Sequence, residues 1–224
     1  MAKKRDCEEV TLLQMDFTIR LPRWVAELLA RSPKIFRTRE DRMRFIITLA
    51  RENVKRQTGG PFGAGVFDAS GCLVAPGVNI VVTHNCSILH AGMIAIARAQ
   101  KKLGRYNISN EGKSDYELVT TTEPCAMCFG AIPWSGVTRL VCGARDEDAR
   151  YIGFDEGPKL PNWEQALEER GVQVSRNVLR QEAVDVLNLY GKVGGAIYKI
   201  GRAAGRERVE ISGGAVSNKK KKEK

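Results

Sequence analysis

The chain has 224 residues, of which 43% are hydrophobic, and a formal net charge of +10 at pH 7. This length suits one domain with short extensions, and the hydrophobic content is sufficient for a packed core. No apolar run is long enough to span a bilayer, and the first residues lack the apolar stretch of a signal peptide, so a cytoplasmic protein is expected. Four of the net positive charges come from residues 219–224, which predict a solvated tail. Nucleic-acid binding is therefore permitted but not required.

Helices and strands alternate along most of the chain. Helical spacing of apolar residues predicts helices over 21–31, 40–56, 91–103, 125–135, 162–170 and 182–190. Short apolar runs predict strands over 62–68, 73–83, 117–121, 139–143 and 172–174. The polar link Ala69-Ser70-Gly71 favours an antiparallel hairpin, and residues 146–160 read as an irregular acidic stretch. The pattern predicts an α/β fold in which helices cover both faces of a mixed sheet.

The most informative motif pairs one histidine with a Cys-x-x-Cys sequence. His90 precedes a predicted helix, and Cys125 and Cys128 open another. One imidazole and two thiolates can hold zinc and leave its fourth tetrahedral position for water, as in catalytic zinc sites. His84 lies in a loop and lacks the helix start, so His90 is the predicted ligand. A redox cysteine pair or two buried thiols would be the alternatives for Cys-x-x-Cys alone.

The residue two positions after His90 is Gly92. In zinc nucleobase deaminases the signature is His-x-Glu with Pro-Cys-x-x-Cys, and the Glu moves protons without binding the metal. Gly destabilises a helix by about 1 kcal/mol relative to Ala, so helix formation does not explain a glycine at position 92. We therefore predict an intact metal site in a chain that is inactive or impaired. An engineered knockout, a spontaneous variant and a natural pseudoenzyme are the three explanations considered.

Several segments resemble the cytidine-deaminase-like superfamily, and within it the bacterial guanine deaminases. They are GGPFGAGVF, GVNIVV, HAGMIAI, ELVTTTEPCAMCFGAIPWSGV and IGFDEGPKLPNW, between about residues 38 and 198. The resemblance implies a three-layer α/β/α fold with a five-stranded mixed sheet, a homodimer, and zinc-dependent hydrolysis of guanine to xanthine and ammonia. It divides the chain into an N-terminal extension (1–37), a deaminase domain (38–203) and a flexible basic tail (204–224).

The same resemblance suggests roles for particular side chains. It makes Glu156 a second carboxylate that assists proton transfer to the leaving amine, although an exposed acidic turn is the alternative. It makes Asn79 an amide that hydrogen-bonds the base, with a turn residue as the alternative. Asp155 is a further candidate for contact with the base. Aromatic side chains that could stack on a purine, unless they belong to the core, are Phe62, Trp134 and Phe154.

Other functions remain open at this level. The substrate could be a related aminated ring, such as ammeline, guanosine or cytosine. A tRNA adenosine deaminase would need a basic surface, whereas residues 146–148 and 155–156 are acidic and would repel phosphates. A non-catalytic zinc-binding subunit is the third alternative, and retention of Glu156 argues against it.

Overall fold

A computed structural model describes residues 18–109, 112 and 114–198. Residues 1–17 of the predicted N-terminal extension, which include Cys7, and the whole of the predicted basic tail lie outside these residues. Within them, no helix combines the length and the apolar character that crossing a bilayer requires. Cys72, Cys86, Cys125, Cys128 and Cys142 are free thiols.

Five strands form one mixed sheet in the order β2-β1-β3-β4-β5. The strands are β1 (Gly63–Asp68), β2 (Leu73–Val78), β3 (Tyr116–Thr122), β4 (Arg139–Ala144) and β5 (Gln173–Ser175). Strand β1 runs antiparallel to both β2 and β3, whereas β3, β4 and β5 are parallel. The predicted hairpin between β1 and β2 is confirmed, as is the five-stranded mixed sheet.

Seven helices surround this sheet in the described part of the chain. They are α1 (Arg23–Arg31), α2 (Arg39–Lys55), α3 (Ala91–Leu103), α4 (Ala126–Ser135), α5 (Asp146–Tyr151), α6 (Trp163–Glu168) and α7 (Arg180–Lys192). Helix α2 begins in a capping box, in which Thr38 Oγ1 accepts from Asp41 N and Asp41 Oδ2 accepts from Thr38 N. Helix α3 ends at Gly104, whose φ of +70° suits a residue without a Cβ.

The sheet separates two apolar clusters. Successive side chains of a strand point to opposite faces. Leu118 and Leu140 accordingly pack in the cluster that contains side chains of α3, α4 and α6, while Val119 and Val141 pack in the cluster with α1, α2 and α7. The predicted three-layer α/β/α arrangement is confirmed.

The largest differences from the sequence prediction are at the end of β2 and within residues 146–160. Strand β2 ends at Val78 rather than near residue 83, because residues 81–85 form turns, which the side-chain oxygen of Asn79 supports by accepting from Val81 N. The acidic stretch 146–160 contains α5, which was not predicted. The acidic side chains of its first turn interact favourably with the positive end of the helix dipole. In addition, the Asp148 carboxylate accepts a hydrogen bond from Arg145 N.

Helix α3 starts unusually close to strand β2. An ideal Cβ placed on Gly77 would lie 2.1 Å from the carbonyl oxygen of Ala91, the first residue of α3. Real Cβ atoms do not approach backbone this closely, so only glycine allows the observed contact. This contact places the start of α3, and the residue before it, against the end of β2 that lies away from the hairpin turn.

Candidate active site

The N-termini of two helices meet at one end of the sheet. His90 is the residue immediately before α3, and Cys125 is the residue immediately before α4, with Cys128 on its first turn. Strand β3 leads through Glu123 and Pro124 directly to Cys125. The predicted placement of the three ligands at two helix starts is therefore confirmed.

The three side chains fit a tetrahedral zinc ion. Nδ1 of His90 lies 3.4 Å from Sγ of Cys125 and 3.8 Å from Sγ of Cys128, and all three ligand atoms lie within 4.8 Å of one another. A tetrahedral zinc ion separates a bound nitrogen and sulfur by about 3.6 Å. A hydrogen bond from Cys128, together with His90, lowers the pKa of Cys125 to about 4. Cys125 therefore favours the thiolate form, which is the form that binds zinc.

A cavity of about 620 Å³, including its open mouth, extends from this cluster. It contains almost every site residue predicted from the sequence. Those at its wall are Phe62, Asn79, His90, Gly92, Cys125, Cys128, Phe154, Asp155 and Glu156. The structure therefore brings the metal ligands and most of the predicted substrate contacts into one site.

Gly92 lies on the first turn of α3 and faces this cavity. A Cβ placed there would meet Cys128 Sγ at 3.6 Å, which is an ordinary contact. Packing therefore does not require a glycine at position 92, in contrast to position 77. The position can accept a side chain that points toward the metal ligands.

Glu156 is a buried carboxyl group, with only 6% of the residue exposed. Burial is the main cause that raises its pKa to about 8, and the charge of Cys125 adds to the effect. Its backbone oxygen accepts a hydrogen bond from Ala126 N at 2.9 Å, which ties it to the start of α4. The alternative of an exposed acidic turn does not fit this burial. Asp155 is half-buried, and its carboxylate accepts from Gly157 N at 2.9 Å.

The amide of Asn79 is held in place on the cavity wall. Its Nδ2 donates to the hydroxyl of Tyr198 at 2.7 Å, and its Oδ1 accepts from Val81 N at 3.3 Å. Its backbone oxygen accepts from Asn53 Nδ2 at 2.8 Å. The second Nδ2 hydrogen remains available for a ligand.

The predicted aromatic contacts divide into two groups. Phe62 and Phe154 pack edge to face with ring centroids 4.8 Å apart at the cavity wall. Trp134, in contrast, is 82% exposed and does not line the cavity. It follows Cys125 by about two and a half helical turns, so it lies on the opposite side of α4. The prediction that Trp134 stacks on a base in this chain's cavity is therefore wrong.

Tyr198 and Thr122 are among the wall residues that the sequence analysis missed. Tyr198 approaches from the segment after α7, with its ring centroid 5.6 Å from that of Phe154. No spacing pattern links it to the motif, so only the folded chain reveals it. Thr122 ends β3, and its buried Oγ1 has no hydrogen-bond partner among the described residues. Such a group can serve a bound polar ligand.

Comparisons with known proteins agree with this site. Residues 37–144 match the family model for the cytidine and deoxycytidylate deaminase zinc-binding region. The chain belongs to this family of zinc-binding deaminases.

Among its relatives are guanine deaminases. That of Bacillus subtilis (strain 168) is 39% identical over 126 residues, which cover 56% of this chain and 77% of the relative. The solved guanine deaminase from Nitrosomonas europaea is 43% identical, with a TM-score of 0.75, and the match covers 80% of this chain and 99% of that one. A tRNA-specific adenosine deaminase of Buchnera aphidicola is 30% identical over 120 residues, which cover 54% of this chain and 73% of the relative.

Zinc is expected to raise the midpoint of thermal unfolding, because an ion that binds only the folded chain stabilises it. At a free zinc concentration of about 1,000 times Kd the gain is about 4 kcal/mol, or roughly 8–16 °C for a chain of this length. Differential scanning calorimetry of chelator-treated protein, with and without zinc, measures this shift. Cys128→Ser is the matched control and should lose most of it. Equal shifts in both proteins would contradict the predicted ligand set.

Proposed function

We propose that this site binds guanine for hydrolysis to xanthine and ammonia, and that Gly92 leaves the present chain inactive or impaired. The observation that carries the proposal is the meeting of three elements in one cavity. These are the His90, Cys125 and Cys128 cluster, the buried carboxyl of Glu156 and the fixed amide of Asn79. The guanine deaminases among the relatives support the choice of base.

Each side chain has a distinct task in this proposal. His90, Cys125 and Cys128 would hold zinc, which when bound lowers the pKa of water and provides a nucleophile near neutral pH. Asn79 donates to an acceptor on the base, and Phe62 and Phe154 contact the faces of its ring. Glu156, whose raised pKa keeps it protonated near pH 7, gives a proton to the departing amine.

The side chain that would transfer a proton to the ring nitrogen of the base is missing at position 92. A carboxylate there would lie beside Cys128 and could move a proton to the ring nitrogen of the base. Gly92 has no group that can do so. We infer that binding is retained while proton transfer to the ring is lost.

The alternatives make different demands on the surface. A tRNA substrate needs free cations near the cavity. Asp155 lies on the cavity wall, and the neighbouring Arg150 is already paired with Asp155 and Asp146. A purely structural zinc subunit has no use for a buried carboxyl such as Glu156. Ammeline, guanosine and cytosine remain the ring alternatives.

The proposal extends to the whole chain. It places the deaminase domain at residues 38–203, between an N-terminal extension and a basic tail, in a cytoplasmic homodimer. Size-exclusion chromatography with light scattering measures the assembly state, and a single-chain mass would contradict the dimer.

Isothermal titration calorimetry of the zinc-loaded chain with guanine tests the binding part of the proposal. Parallel titrations use ammeline, guanosine, cytosine and an unmodified tRNA. Saturable binding of guanine in preference to the others supports the proposal. Preference for the tRNA or for another ring would replace guanine with that ligand class.

Asn79→Ala is expected to weaken guanine binding about tenfold, the effect of losing one buried hydrogen bond worth roughly 1.4 kcal/mol. Asn162→Ala is the matched control, because Asn162 is exposed and its side chain does not cap α6. Titration calorimetry compares the two dissociation constants. Unchanged affinity in Asn79→Ala would remove Asn79 from the binding site.

A further inference from the structure

A largely buried group of charged side chains lies beside the cavity, and one of its members, Glu123, belongs to the cavity wall. We call it the Lys159 cluster, and it consists of Lys159, Glu123, Asp146 and Arg176. Only 8% of the Lys159 side chain and 3% of the Glu123 side chain are exposed. None of these charges has a task in the deamination proposed above.

Lys159 makes three polar contacts. Its Nζ lies 3.2 Å from Asp146 Oδ1 and 3.6 Å from Glu123 Oε2, and it donates to the backbone oxygen of Pro124 at 3.2 Å. The ammonium also lies 4.7 Å from the ring centroid of Trp163, which is within range of a cation–π contact.

These contacts join the two segments that carry the chemistry. Glu123 and Pro124 lead directly to the metal ligand Cys125, and Lys159 follows Glu156 by three residues. A second connection reinforces the first, since Glu123 Oε1 accepts from Arg176 Nε at 2.6 Å and Glu123 Oε2 accepts from Asp146 N at 3.2 Å. The cluster therefore ties the loop before Cys125 to the segment that bears Glu156.

Stability alone does not explain a lysine here. Burying a charged pair carries a large desolvation cost, and well-packed apolar side chains of similar volume often stabilise a fold equally well or better. A buried ion pair does, however, define the separation of the segments that it joins. Outer-shell contacts of this kind typically change metal affinity or activity by about 10- to 100-fold.

We propose that Lys159 is a positioning residue, which holds the Cys125 loop and the Glu156 segment at the separation that the reaction needs. The metal-binding part of this proposal is independent of the substrate, whereas the catalytic part rests on the proposed function. Lys159 touches neither the base nor the metal in this account.

The experiment compares Lys159→Met with Arg42→Met. Arg42 Nε pairs with the buried Glu117 at 2.7 Å, at the opposite end of β3, so its loss also breaks a buried ion pair. Zinc affinity is measured in the present chain by competition with a chromogenic chelator. We expect Lys159→Met to weaken zinc binding about 10- to 100-fold, and Arg42→Met to leave it within about threefold while lowering the unfolding midpoint.

The catalytic arm uses the Gly92→Glu background. There Lys159→Met should lower kcat about 10- to 100-fold with KM changed less than threefold, because the cluster positions groups rather than binding substrate. If the Gly92→Glu protein turns over no base, the proposed function fails, and the zinc measurement still decides the role of Lys159.

Equal zinc affinity in Lys159→Met and the parent chain, with only a lower unfolding midpoint, would overturn the proposal. If Lys159→Met does not fold, Asp146→Asn replaces it, since it removes a negative charge that pairs with Lys159 and keeps the shape. A several-fold loss of zinc affinity in Asp146→Asn then supports the proposal, and an unchanged affinity contradicts it.

Discussion

Gly92→Glu is expected to raise the rate of guanine deamination by about 10²- to 10⁴-fold, the range that a positioned general acid–base contributes. The side chain would start 3.6 Å from Cys128 Sγ, on the first turn of α3, and would face the cavity. Because a Cβ fits there without displacing a neighbour, the fold should tolerate the change. Ammonia release, measured for both proteins at equal zinc content, gives the ratio.

Gly92→Gln separates proton transfer from the filling of space. Glutamine matches the size of glutamate and offers hydrogen bonds, but it does not act as a general base. The deamination rate of Gly92→Gln should stay close to that of the present chain, and its thermal stability should be similar. Robust, equal turnover by the present chain and Gly92→Glu would show that position 92 does not limit the reaction.

Glu156→Gln, made in the Gly92→Glu background, is expected to lower kcat at least about 10²-fold with little change in guanine affinity. Glu156 is buried, and its pKa of about 8 makes it a proton donor at neutral pH. Glutamine keeps the shape and cannot transfer the proton. Steady-state kinetics and calorimetric titration of guanine measure the two effects separately.

The control for Glu156→Gln is Glu147→Gln on the same segment after β4. The Glu147 side chain is 65% exposed and pairs with Arg145 and Arg180 at the surface. Exposed pairs contribute about 1 kcal/mol or less, so activity should be nearly unchanged. A loss confined to guanine affinity in Glu156→Gln would reassign Glu156 from proton transfer to binding.

The fold was largely predictable because its signals are local. Helix α3 follows from its apolar spacing and from Gly104, and the β1–β2 hairpin follows from a short polar link. Helix α5 was missed because it is one and a half turns of mainly charged residues without an apolar face. The end of β2 was misplaced because apolar residues continue to Val82, although the backbone already forms turns over residues 81–85.

The site was predictable where chemistry follows spacing along the chain. His90, Cys125 and Cys128 are recognised by their positions before two helices, and the structure brings them together. Contacts between distant segments carry no such signal. Tyr198 meets Asn79 across 119 residues of sequence, and a lysine such as Lys159 would be assigned to the surface on average. Trp134 shows the opposite error, because an aromatic residue near a motif can still point away from it.

Gly77 illustrates how a residue without chemistry constrains the metal centre. Its missing side chain lets α3 begin against the hairpin, and His90 is the residue before that helix. Any larger residue would push α3 away from β2 and shift the imidazole of His90 relative to the sulfurs of Cys125 and Cys128, which lie at the start of α4. Mutational scanning should therefore find this strand position almost as intolerant as the three donors themselves, although it lies outside every catalytic motif.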